Sequence, residues 1–236
     1  MKETALIILL GSAVSIGFVH TVIGPDHYLP FILLAKAREW RLGKILWITF
    51  GCGVGHVLSS AVIGCIGIAA GIAVGRLEGV EGMRGGVAAW LLIGFGLVYG
   101  VWGLRRGLKG KKHSHSHFHK DGSVHSHTHS HSGDHSHVHE EKGKLTPWVL
   151  FIIFVLGPCE PLIPLLMYPA AQGSWLGVGL VTLVFGTATI GTMLVIVALG
   201  TYGLLRLRTG CMERFVHAIA GGIIALSGIS IKVLGL

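Results

Sequence analysis

Asp26 and Glu160 are the two carboxylates that fall inside apolar stretches of this 236-residue chain. Each follows a Gly-Pro pair, in Gly24-Pro25-Asp26-His27-Tyr28-Leu29-Pro30 and in Gly157-Pro158-Cys159-Glu160-Pro161-Leu162-Ile163-Pro164. An ionised carboxylate at mid-bilayer costs about 2.5–3.5 kcal/mol or more, so such a group faces a cavity and needs a partner. His20, His27 and His56 are the candidates. On an unbroken helix His20 and His27 stand about 10.5 Å apart along the axis, too far for one ion. A break at Gly24-Pro25 changes that, because Pro25 removes a backbone hydrogen bond and Gly24 allows the chain to turn. Imidazole and carboxylate ligands could then converge on a divalent ion of intermediate softness. The plainer alternative is that Asp26 and Glu160 cap the helix halves that begin after each break. His217, alone near the start of the last apolar run, is expected to pack.

Eleven further histidines alternate with other residues in one polar tract: His113, His115, His117, His119, His125, His127, His129, His131, His135, His137 and His139. Such a tract can capture several metal ions without a fixed geometry, and its composition predicts disorder. Cys52, Cys65, Cys159 and Cys211 form no CxxC pair and no disulfide framework.

The elements that position these residues are membrane helices. The chain is 51% hydrophobic and 13% charged, with 37 glycines and a mean hydropathy of +0.69, which excludes an ordinary soluble enzyme. Apolar runs separated by charged breaks predict spans near 5–35, 45–75, 86–104, 147–172, 177–205 and 215–235. Lys36, Arg38, Arg41 and Lys44 fall in the first connection, the run from Arg105 to Lys144 in the third, and Arg206, Arg208 and Arg214 in the fifth. The positive-inside rule therefore puts the odd connections in the cytoplasm and both termini outside. The net charge of +8 is then a matter of topology, and no nucleic-acid partner is expected. The two interruptions fall in the first helix of each three-helix half. Three crossings per half force opposite orientations, so we expect a 3+3 inverted repeat with broken helices 1 and 4. The parts are a first half over 1–108, a cytoplasmic His-rich loop over 109–146 and a second half over 147–236.

The segment His20 to His27, H-T-V-I-G-P-D-H, resembles the His…Asp-His signature of the nickel/cobalt transporter superfamily, in particular its NicO and urease-accessory-like type. Five residues separate His20 from Asp26, where the NiCoT form has four. Gly55-His56-Val57-Leu58-Ser59 is similar to the family's Gly-His-Ser-Thr segment. Phe185-Gly186-Thr187-Ala188-Thr189 resembles its Gly-x-Asp-Thr-Ala-Thr segment without the Asp. The resemblance implies a non-enzymatic transporter of Ni²⁺ or Co²⁺, with Zn²⁺ as a further cargo and no cofactor. His20, Asp26, His27 and His56 would form the ion path by alternating access, and Glu160, Cys159 and Thr187 a second-half or proton site. It also implies a prokaryotic cytoplasmic membrane and a cytoplasmic metallochaperone or metalloenzyme-maturation partner.

A second reading belongs to another class. Gly157 to Pro164 is similar to the Pro-Cys motif of cytochrome c biogenesis and disulfide-reductant carriers, which use a cysteine in each half. Here the position equivalent to Cys159 is Asp26, so a thiol relay would have to recruit Cys52 or Cys65. Export of small anions would want Lys or Arg inside the membrane, where only Lys232 is expected. Passive metal buffering by the tract would leave Asp26 and Glu160 without a role.

Overall fold

The computed structural model describes residues 3–108, 113–118, 124–129, 145–206 and 214–234. Eight helices occur among them: α1 (Glu3–Ile23), α2 (Leu29–Ala37), α3 (Leu42–Ala69), α4 (Val74–Leu108), α5 (Leu145–Leu156), α6 (Leu162–Ala171), α7 (Trp175–Arg206) and α8 (Val216–Leu234). Five of them, α1, α3, α4, α7 and α8, are long and apolar enough to cross a membrane. The chain is an integral, multi-pass membrane protein.

Its surface and interior are arranged for lipid. Large apolar side chains such as Ile7, Trp47, Leu176 and Leu199 stand exposed on the outside, while His27, His56, Ser60 and Glu81 are buried. Two apolar clusters fill the interior. One gathers Phe31, Leu34, Leu92, Leu150 and Phe154, and the other Val57, Cys159, Leu162, Leu166 and Phe185. Lipid supplies no hydrophobic drive between helices, so close packing of small residues takes its place. Along the seam of α4 and α8, a side-chain carbon on Gly96 or Gly221 would overlap the facing backbone. These glycines are needed for the absence of a side chain.

Both interruptions are where the sequence puts them. α1 ends at Ile23, Pro25–His27 form a 3-10 turn, and α2 starts at Leu29 with Pro30 in its first turn, where a missing N–H costs nothing. α5 ends at Leu156 and α6 starts at Leu162, leaving 157–161 non-helical. Gly24 takes an ordinary backbone conformation (φ −80°, ψ 98°), so its role is not a special turn. A side chain there would collide with the ring of His27.

Two expectations are corrected. The third span does not begin at 86 but at Val74, because Arg76, Glu78, Glu81 and Arg84 continue the helix instead of ending it. In the His-rich tract, expected to be disordered, His113–Phe118 (β1) pairs antiparallel with Val124–His129 (β2), His115 opposite His127. Alternation has the period of a strand, which the disorder argument ignored. His119, His131, His135, His137, His139 and Cys211 lie outside the described residues.

Candidate functional site

The first break folds its histidines together. The rings of His20 and His27 meet edge to face at 4.8 Å between centroids, and His56 reaches in from α3 with its ring 5.1 Å from that of His27. The ring of His20 lies parallel to that of His56 at 6.2 Å. One nitrogen from each of His20, His27 and His56 falls within 4.8 Å of the others, an arrangement that could hold a metal ion.

The hydrogen bonds fix which nitrogens are free. His27 Nδ1 is 3.1 Å from the Gly24 carbonyl and 3.2 Å from Asp26 Oδ1, and His56 Nδ1 is 3.3 Å from the Phe154 carbonyl. A carbonyl oxygen only accepts, so both Nδ1 atoms carry the hydrogen. The two Nε2 atoms then face each other, 3.4 Å apart. Two lone pairs at that distance repel unless a cation lies between them, either a proton on one ring or a metal ion bridging both. A tetrahedral ion with bonds of about 2.0–2.1 Å to nitrogen sets its ligands about 3.3 Å apart, so the spacing fits. His20 Nε2 is buried and has no hydrogen-bond partner.

Asp26 differs from its expected place. Its carboxylate is behind His27, bonded to Nδ1, and is not in the converging group. It orients the imidazole and stands as a negative charge behind the ring, away from the three converging nitrogens.

These side chains line a cavity of about 450 Å³ whose wall also includes Gly157, Pro158 and Glu160. The two breaks therefore share one space. Glu160 is exposed, with its carboxylate against Gly82 of α4. Thr187 is on the outside, its hydroxyl returned to the carbonyl of Val184. A threonine without the aspartate of the expected segment is thus an ordinary helix-surface residue. His217 pairs with the Tyr99 hydroxyl at 2.8 Å and packs on Trp102, as a packing residue should.

Cys159 is fully buried and sits in the second apolar cluster, against which Cys65 packs. Cys52 belongs to the other cluster. These three cysteines are free thiols. Pro158 leaves backbone groups without helical partners, and a polar network from α3 and α4 takes them up. The Cys159 N–H donates to Glu81 Oε2 at 3.0 Å and to Ser60 Oγ at 3.1 Å. Arg84 donates to the Val155 carbonyl at 2.7 Å, to Ser59 Oγ at 2.8 Å and to the Glu81 carboxylate. Ser60 Oγ donates to Glu81 at 2.8 Å.

Sequence reasoning missed Glu81 and Arg84, because the third span was started beyond them. Asp26 and Glu160 are not the only acids in the helix bundle, and Lys232 is not its only cation. The signal was present as the i,i+3 spacing of opposite charges among Gly79, Gly82, Gly85 and Gly86, a helix face made for close packing.

Converging histidines, broken helices and a polar network around a cysteine sit together within a multi-pass membrane protein that has an internal cavity. The profile of the cytochrome C biogenesis protein transmembrane region matches residues 30–230, and the chain belongs to that family. No curated protein and no solved structure gives a significant match. The family match overturns the resemblance to nickel/cobalt transporters and, with it, the reading as a Ni²⁺ or Co²⁺ transporter. That resemblance rested on short motifs, one of which, His20 to His27, precedes the matched region. The family covers both halves and the Cys159 break.

Proposed function

We propose that the chain is an intramembrane thiol–disulfide electron carrier in which Cys159 is the reactive thiol. The observation that carries this reading is the family match across residues 30–230, with Cys159 held at the Gly157-Pro158 interruption. In the reaction, the Cys159 thiolate attacks a disulfide of a soluble acceptor protein, and a dithiol donor later reduces the chain again. One sulfur leaves as a thiolate and a mixed disulfide remains. A second thiol then attacks Cys159, releases the partner in reduced form, and leaves Cys159 oxidised. Cys65 is the second thiol favoured within the chain, because it packs against the same apolar cluster. Cys159 is buried at rest, so the non-helical segment 157–161 must open for the exchange.

The same reading assigns α5 and α6 to one broken crossing, giving six crossings in a 3+3 inverted repeat. The neighbours support it: α1 packs on α7 as α5 and α6 pack on α3, and α4 on α8, which is what exchange of the halves would give. Both termini are then outside, and the tract with β1 and β2 is cytoplasmic. Replacing Cys65 with Ser tests the relay. With Cys159 reduced, it should accumulate a mixed disulfide between Cys159 and a soluble protein supplied in its disulfide form, visible as a mass shift that a reductant removes. No adduct at Cys159 under any redox poise would overturn the reading.

A separate observation favours a second property, cation binding at His20, His27 and His56. It is the pair of facing Nε2 lone pairs, which require a positive charge between them. Titration with Co²⁺ should give the visible absorption of a tetrahedral nitrogen-ligated ion in the intact chain, lost on His56→Ala. An unchanged spectrum would leave a shared proton as the occupant.

A further inference from the structure

Within the reading of Cys159 as the reactive thiol, we infer that Glu81, with Ser60 and Arg84, positions Cys159 and sets the charge around its sulfur. A break of this kind needs only acceptors for freed N–H groups and donors for freed carbonyls. Ser60 and water would suffice. A buried ion pair is a costly way to meet that need, since apolar residues of similar volume are often at least as stabilising. Here the pair is aimed at the break from both sides. Glu81, with no exposed surface, takes the Cys159 N–H, while Arg84 takes the Val155 carbonyl on the other side of Pro158. Ser60, itself buried, lies between them and bonds the Cys159 amide, Glu81 and Arg84. The break is thereby held between a carboxylate and a guanidinium, and removing either one unbalances the charge beside Cys159. All three residues come from α3 and α4, away from the break that carries the cysteine.

The test follows alkylation of each cysteine by N-ethylmaleimide, using peptide mass spectrometry on the intact chain in membranes, with Cys65 as internal control. Glu81→Gln keeps an oxygen acceptor but leaves Arg84 uncompensated. It should speed alkylation of Cys159 at neutral pH by about tenfold, with Cys65 unchanged. Adding Arg84→Gln should bring the rate back to within about twofold of the unmodified chain. A Glu81→Gln chain that alkylates Cys159 at the original rate, or that accelerates both cysteines together, would overturn the inference. If Glu81→Gln cannot be recovered from membranes, Ser60→Ala keeps the ion pair and removes one acceptor. It should speed Cys159 alkylation about threefold without affecting Cys65, and no change would overturn the inference equally. Loss of the thiol-carrier reading itself would show differently, as a Cys159 that alkylates normally yet never forms a mixed disulfide.

Discussion

At the scale of single residues, the first break works through exclusion and orientation. Gly24 leaves room for the His27 ring, and its carbonyl together with Asp26 fixes the tautomer that bares Nε2. Asp26→Asn should therefore weaken Co²⁺ binding by about tenfold without unfolding the chain, the usual size of a lost outer-shell carboxylate. Equilibrium dialysis would measure it, and unchanged affinity would return Asp26 to a capping role. Gly24→Ala should cost about 1–3 kcal/mol of stability from overpacking against His27. Gly43→Ala, where a side chain would meet nothing, should be neutral or slightly stabilising in the same thermal melt. His20, His27 and His56 stood out in the sequence by type and position, and the fold brings their rings together. That Asp26 stands behind the His27 ring was not legible, because spacing does not say which side of a ring a carboxylate approaches.

Among the elements, the breaks were legible because Gly-Pro leaves a mark that context rarely overrides, whereas the start of α4 was hidden. Charge was taken as the end of a span, but Glu81 and Arg84 neutralise each other one turn apart and can stay within the bundle. What the sequence could not convey is that this pair grips a break far along the chain. The seam of α4 and α8 belongs to the same scale. Gly221→Leu would drive a side chain into the backbone at Gly100 and should lower stability by about 3 kcal/mol or prevent assembly. Gly222→Leu, with open space beside it, should leave the melting temperature of the detergent-solubilised chain unchanged. Equal effects at the two positions would show that the seam is not packed through Gly221.

For the whole molecule, composition was enough to establish a multi-pass membrane protein, and function was where short motifs misled. Short motifs at His20 to His27, Gly55 to Ser59 and Phe185 to Thr189 pointed to metal transport, while the family profile matches residues 30–230 and so spans both halves. The same short pattern can occur on unrelated scaffolds, so the motif marked histidines that come together and did not define the family. The three histidines and both breaks line one cavity, whereas Cys159 is outside its lining, in the second apolar cluster. The most direct measurement of the central claim is electron transfer across a sealed membrane. Vesicles containing the purified chain are loaded with glutathione, and an impermeant aromatic disulfide is added outside. The intact chain should reduce the external disulfide at a rate that falls at least about tenfold in Cys159→Ser, the loss expected when the attacking thiolate is removed. A Cys159→Ser chain that transfers electrons as fast as the original would contradict the account.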